Sequence, residues 1–332
     1  MPPDPAAERR GAAPGPSAAS DRLGRYELLR RLGSGGMAEV HLARAAGLEG
    51  FQKLLVLKRI LPHLAADPEF VRMFLAEARL AAILDHPNVV QVFDIGREGA
   101  EFFFTMEYVY GENLQTILRA SRRKGTVLPI ELAIAIAMGA ATGLHYAHER
   151  VGFDGMPLGL VHRDVSPANL MVSERGEVKL LDFGIVKSEQ RLTKTQAGMV
   201  KGNLFFMSPE QARALEVDFR SDLFSLGMVL TFVTLGRTLY MGDSLLELMN
   251  RAAAGPTPQD LDDVRAGAGP LATFLLKALA TDPNSRFQTA GAMAQALAEA
   301  VPAAPAMALE ALMRELFQDE LESDRQRFSE KG

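Results

Sequence analysis

The sequence predicts an α+β protein of two lobes, a small N-terminal lobe built on a five-stranded sheet with one main helix and a larger, mainly helical C-terminal lobe. Strand-like apolar runs crowd residues 26–60 and 89–109, a single well-capped helix interrupts them, and after Gly111 nearly every apolar pattern has helical spacing.

Taken in order, residues 26–32, 39–44 and 54–60 read as a meander of three strands separated by glycine-containing turns. Asp67-Pro68-Glu69 then starts a helix: a capping carboxylate, a proline where the first turn has no use for an N–H, and an acid beside the positive end of the dipole. This helix is expected to reach about Leu84, with Pro87 closing it. Residues 89–96 and 102–109 supply the last two strands. Helices follow over residues 130–149, 221–235, 245–254, 271–279 and 290–300. In residues 306–328, Leu309, Leu312, Met313, Leu316, Phe317 and Leu321 form one stripe, which predicts an amphipathic helix lying on the helical lobe or against a partner.

These readings divide the chain into a disordered tail over 1–23, a folded unit over 24–300 with lobes meeting near 109–110, and a C-terminal helix and tail over 301–332. The tail is expected to be disordered because its alanine, proline, glycine and serine bury too little surface to offset the entropy of ordering. The composition is 48% apolar, enough for a sizeable core. A net charge of −5 without a basic stripe argues against nucleic acid as a partner. The absence of cysteine excludes thiol catalysis and thiolate metal sites, and suits the cytoplasm. No apolar run of about 18 residues suggests a membrane span, and no signal core is expected at the N-terminus.

Four groups of residues carry chemistry. Gly33-Ser34-Gly35-Gly36 lies between two predicted strands, so its bare backbone can approach phosphate oxygens; no helix follows, which disfavours a dinucleotide-binding fold. Lys58 sits among apolar residues in a strand and needs a counter-charge, and Glu77 falls on the helix stripe Phe70, Met73, Phe74, Ala81 and Leu84 that should face the sheet. An ion pair between them satisfies both. His162-Arg163-Asp164 with Asn169, followed by Asp182-Phe183-Gly184, brings two carboxylates and an amide to one cleft. Phosphoryl transfer needs such a set: oxygen ligands for Mg²⁺ and a carboxylate to orient the attacking hydroxyl.

With Ser208-Pro209-Glu210, Asp222 and Arg286 in the same order, the sequence over about residues 26–300 resembles the eukaryotic-type (Hanks-type) protein kinases, and is most similar to bacterial serine/threonine members. The resemblance implies the bilobal protein kinase fold and transfer of the ATP γ-phosphoryl group to serine or threonine hydroxyls of protein substrates. By it, Lys58 contacts the α- and β-phosphates with Glu77 as its partner, Asp164 is the catalytic base, and Asn169 and Asp182 bind Mg²⁺. The loop of Leu32, Gly33, Ser34, Gly35, Gly36 and Met37 covers the phosphates. Leu32, Val40, Val56 and Met171 sandwich adenine, Met106 backs the pocket, and the backbone from Glu107 to Val109 is the hinge. Glu210 and Arg286 pair structurally, and Asp222 anchors the catalytic-loop backbone.

The pattern is departed from in three places. Ala38 replaces the third glycine of the loop. Ser166 stands where serine/threonine kinases carry a lysine for the transferred phosphoryl group, a cation that Lys201 is expected to replace. Asn203 replaces a threonine that bonds the catalytic aspartate. Arg163 beside Asp164 implies autophosphorylation at Thr193 or Thr195, ordering the segment after Asp182. Two other readings stand beside this one: an ATP-binding pseudokinase scaffold, and a small-molecule phosphotransferase. No sensor domain is apparent, so the input is expected from a homodimer contact, another partner or an upstream kinase.

Overall fold

The structure, a computed structural model, describes residues 22–47, 52–152, 154–183 and 203–329. The N-terminal lobe comprises β1 (Arg22–Leu23), β2 (Tyr26–Ser34), β3 (Ala38–Ala46), β4 (Gln52–Ile60), α1 (Pro68–Ala82), β5 (Val92–Glu98) and β6 (Glu101–Glu107). Its strands form one antiparallel sheet in the order β1-β2-β3-β4-β6-β5. The sheet therefore has six strands rather than five. Arg22 and Leu23, expected in the tail, pair with Glu27 and Tyr26, and Leu23 is buried with Tyr26 and Phe103 on the sheet's outer face. That buried leucine compensates for ordering the extra strand.

Helix α1 starts as its sequence dictates. The Asp67 carboxylate accepts from the Glu69 N–H at 2.9 Å and Pro68 occupies the first turn. Its buried face, Met73, Phe74 and Ala78, meets the sheet, with the Phe74 and Phe104 rings 5.2 Å apart. The helix ends at Ala82 rather than Leu84.

The strand expected from residue 89 begins only at Val92, because the residues before it pair elsewhere. The Val90 N–H donates to Leu180 O at 2.9 Å, Leu180 N–H donates to Asn88 O at 2.8 Å, and Asn88 Nδ2 donates to Val178 O at 2.8 Å. Leu180 belongs to the other lobe, so residues 88–90 stitch the two lobes together.

The C-terminal lobe carries a small antiparallel sheet of β7 (Gly111–Asn113), β8 (Leu170–Ser173) and β9 (Val178–Leu180), ordered β7-β8-β9. Its helices are α2 (Leu114–Arg123), α3 (Ile130–His148), α4 (Pro209–Ala212), α5 (Arg220–Leu235), α6 (Leu245–Ala254), α7 (Pro258–Gly267), α8 (Ala272–Ala278), α9 (Ala290–Ala300) and α10 (Ala306–Ser329). Helices α2 and α7 fall outside the periodicity reading, being short and polar. Their start signals are nonetheless present: Asn113 caps α2, and Thr257 and Asp260 form a capping box around Pro258.

Helices α3 and α5 form the centre of this lobe and share one apolar cluster. By length and composition α3 could cross a membrane. Here it is a core helix, with Ile134, Ala140, Ala141 and Leu144 fully buried and α5 and α9 packed on it. Two of its glycines make room for the seam between the lobes. A Cβ on Gly143 would lie 2.7 Å from Asn88 O, and one on Gly139 would lie 2.7 Å from the Val178 Cβ. Helix α10 docks on the same lobe through Leu309, Met313, Leu316 and Phe317.

Candidate active site

The groups singled out in the sequence meet between the lobes. Lys58 on β4 lies opposite Phe104 of β6, one strand in from Val40 of β3, so sheet register fixes its direction. Its Nζ is 2.7 Å from Glu77 Oε1 and 3.1 Å from Asp182 Oδ1. Burial alone would push the ammonium down, but Asp182 and Glu77 overcome this and hold its pKa well above the usual lysine range. The side chain is thus a fixed cation in the cleft.

The segment from His162 is held by Asp222, which is fully buried at the start of α5. Asp222 Oδ2 accepts from the His162 N–H at 2.8 Å and Oδ1 accepts from the Arg163 N–H at 2.7 Å. This double grip sustains Arg163 at φ 64°, a left-handed conformation costly for a residue with a Cβ. His148, the last residue of α3, adds a third bond, its Nε2 2.8 Å from Asp222 Oδ2. Gln211 of α4 donates to Arg163 O at 2.9 Å.

His162 links this anchor to the second aspartate. Its Nε2 lies 2.8 Å from Leu181 O and must donate, since a carbonyl only accepts; Nδ1 is then the acceptor for the Asp164 N–H at 3.3 Å. The Phe183 ring packs 4.6 Å from the imidazole and is itself buried in the C-terminal lobe. Asp182, at φ 42°, is turned the other way, toward Lys58.

Pro167–Asn169 forms a single 3₁₀ turn, which returns Asn169 to Asp164. Asn169 Nδ2 donates to Asp164 O at 2.8 Å and to Asp164 Oδ2 at 2.9 Å, and Asn169 O accepts from the Leu181 N–H at 2.9 Å. With its amide nitrogen so committed, Asn169 has a side-chain oxygen without a partner among the described residues. Asp182 likewise keeps a second carboxylate oxygen beyond the one facing Lys58. Hard oxygen donors of this kind suit Mg²⁺.

Of the adenine-pocket residues, Val40, Val56, Met106, Val109 and Met171 fall in one apolar cluster, joined by Val92 and Leu181. Leu32 lies outside it and is 41% exposed. At the hinge, the Glu107 N–H already bonds Gln91 O at 2.9 Å. Lys179 holds the Glu107 carboxylate at 3.0 Å, fastening the hinge to β9. In the glycine-rich turn the Gly35 N–H donates to Ala38 O at 2.7 Å, and a Cβ on Gly33 or Gly36 would meet nothing within 4 Å. That backbone is open to a ligand's approach.

Glu210 and Arg286 are deeply buried. The guanidinium donates to Glu210 Oε1 at 2.7 Å and to Oε2 at 2.9 Å, and its remaining donors reach Ala280 O, Arg220 O and Thr281 O. Burial raises the Glu210 pKa, but Arg286 and Ser221 outweigh it and hold the carboxyl below its usual range.

Residues 26–298 match the protein kinase domain family. The chain belongs to that family. This kinase domain is 42% identical over 308 residues to the tyrosine-protein kinase MasK of Myxococcus xanthus, an alignment covering 92% of the chain and 48% of MasK. It is 39% identical over 285 residues to the serine/threonine-protein kinase PknB of Mycobacterium tuberculosis, covering 84% of the chain and 42% of PknB. The chain thus spans less than half the length of these relatives. Among solved structures, the PknI kinase domain of M. tuberculosis superposes with a TM-score of 0.63 at 30% identity, over 86% of this chain and all of that one.

The departures from the family pattern fall unevenly. Ser166 is 1% exposed, and its buried hydroxyl has no hydrogen-bond partner among the described residues. Thr193, Thr195, Lys201 and Gly184 lie outside the described residues. The buried Arg163 Nε has no hydrogen-bond partner among the described residues. Sequence reasoning did not single out His148, Asn88 or Lys179; each acts through a contact distant along the chain.

Proposed function

We propose that the chain is a serine/threonine protein kinase domain, transferring the ATP γ-phosphoryl group to hydroxyls of protein substrates with Mg²⁺ as cofactor. The carrying observation is the bonded chain from Glu77 through Lys58 to Asp182 and from Leu181 through Asn169 to Asp164, which ties a fixed cation, three carboxylates and an amide into one cleft. Lys58 is placed to hold the α- and β-phosphates against Glu77. Asp164, steadied by Asn169, is the carboxylate that receives the acceptor hydroxyl's proton as the new O–P bond forms and ADP leaves. Mg²⁺ held by Asn169 and Asp182 would supply charge neutralisation at the phosphate oxygens. Thr193 and Thr195 are the proposed autophosphorylation sites, with Arg163 as the cation that a phosphate there would meet. A cytoplasmic location fits the need for ATP.

The name of the Myxococcus relative favours a second reading, tyrosine as acceptor. Labelled γ-phosphate transfer by the wild type and Asp164→Asn, followed by phospho-amino-acid analysis and mass mapping, separates the readings. Phosphoserine or phosphothreonine in the wild type alone supports the proposal. Phosphotyrosine alone replaces the acceptor, and nucleotide binding without any transfer points to a pseudokinase.

A further inference from the structure

Helix α10 lies beyond residue 298, where the family match ends, yet it is seated under the nucleotide cleft. Leu309, Met313, Leu316 and Phe317, spaced to share one helix face, are buried against α2, α3 and β8. Strand β8 has two faces. Leu170 and Val172 share an apolar cluster with Leu309 and Met313, whereas Met171 between them belongs to the cluster of Val56, Met106 and Val109. One short strand is therefore in contact with the C-terminal helix and also contributes Met171 to the apolar cluster of the expected adenine pocket.

The same strand is bonded to the residues that directly follow the hinge. Gly111 pairs with Ser173, and the Glu174 N–H donates to Tyr110 O at 2.7 Å. The turn after β8 is shaped by the Ser173 hydroxyl, which accepts from the Glu177 N–H at 3.0 Å and the Arg175 N–H at 3.2 Å. It presents Gly176, at φ +79°, to the start of α10, where a Cβ would lie 2.1 Å from Ala306 O. At the other side of the seat, Lys124, which caps the end of α2, donates to the Glu315 carbonyl of α10.

We infer that α10 is a positioning segment of the nucleotide site. Docked, it holds β8 and α2, and through them Met171 and the hinge, in the arrangement that binds ATP; Gly176 and Lys124 are its positioning residues. The inference rests on the kinase reading above. Coupling between two binding events is reciprocal, so ATP must in turn tighten the seat of α10.

The test is hydrogen exchange on the intact chain with and without Mg²⁺ and ATP. Amides of residues 309–317 are expected to exchange at least about fivefold more slowly with nucleotide, the lower end of typical coupling, alongside the hinge at 107–109. Protection of the hinge with none in α10 overturns the inference and leaves the kinase reading standing. Protection in neither removes both. In Gly176→Ala, KM for ATP is expected to rise by the same factor with kcat within about twofold. A lower melting temperature with unchanged KM would mark α10 as a mere stabiliser.

Discussion

Replacing Glu210 by Gln keeps the shape of the side chain and removes its charge, leaving the Arg286 guanidinium, 0% exposed, without a counter-ion. Breaking a buried pair in this way costs about 3–5 kcal/mol. The Gln oxygen still accepts one bond, which favours the lower end, while the Ser221 hydroxyl weakens, worth about 1 kcal/mol. The sum is about 3–4 kcal/mol, a large part of the 5–15 kcal/mol typical of a folded domain. At about 2–4 °C per kcal/mol for a domain of this size, the melting temperature falls by roughly 6–16 °C.

Calorimetry and urea unfolding of the wild type, Glu210→Gln, Arg286→Met and the double variant measure this. The double variant should recover part of the loss, since it no longer buries an orphan cation. The depressed Glu210 pKa sets the sign with pH: its stabilisation is present above the unfolded carboxyl value of about 4.3 and is lost as pH falls through the folded value. The gap between wild type and Glu210→Gln should therefore close on acidification below about pH 4. A loss under about 1 kcal/mol at pH 7, or a gap that widens in acid, refutes the reasoning.

Other perturbations probe the cleft and its supports. In Asp222→Asn an NH₂ confronts one of the two backbone N–H donors that secure Arg163, so kcat should fall about 100-fold with KM for ATP nearly unchanged, read by steady-state kinetics. Lys58→Met should lower kcat/KM by about 10²–10³, the scale of losing one preorganised charge, in the same assay. Gly111→Ala would set a Cβ 2.0 Å from Val172 O and push β7 from β8; a loss of about 1–3 kcal/mol in denaturant unfolding is expected.

The contacts legible in the sequence were those where a charge had an obligation that local pattern exposed. Glu77 on an apolar helix stripe demanded a cation, Lys58 in an apolar strand demanded an anion, and the two meet at 2.7 Å. The start of α1 was equally legible, because Asp67 and Pro68 act within one turn. Contacts set by tertiary approach were not. Nothing local reveals that Val89 and Val90 leave the strand pattern to pair with β9, that His148 closes on Asp222, or that Ser166 is buried. The extra strand at Arg22–Leu23 was missed because a single leucine in a polar, small-residue segment gives no periodicity.

The stitching of residues 88–90 to Leu180 bears on how far the protein can be dissected. A cut at residue 109, the natural place to divide the two lobes, would strip β9 of its parallel neighbour and leave Asn88 and Val90 with bare amides and carbonyls on the other fragment. Each half would then carry an unpaired edge bordered by valine and leucine, the arrangement that recruits foreign strands. Modularity here ends short of the lobe: the smallest autonomous piece includes both sides of the cleft.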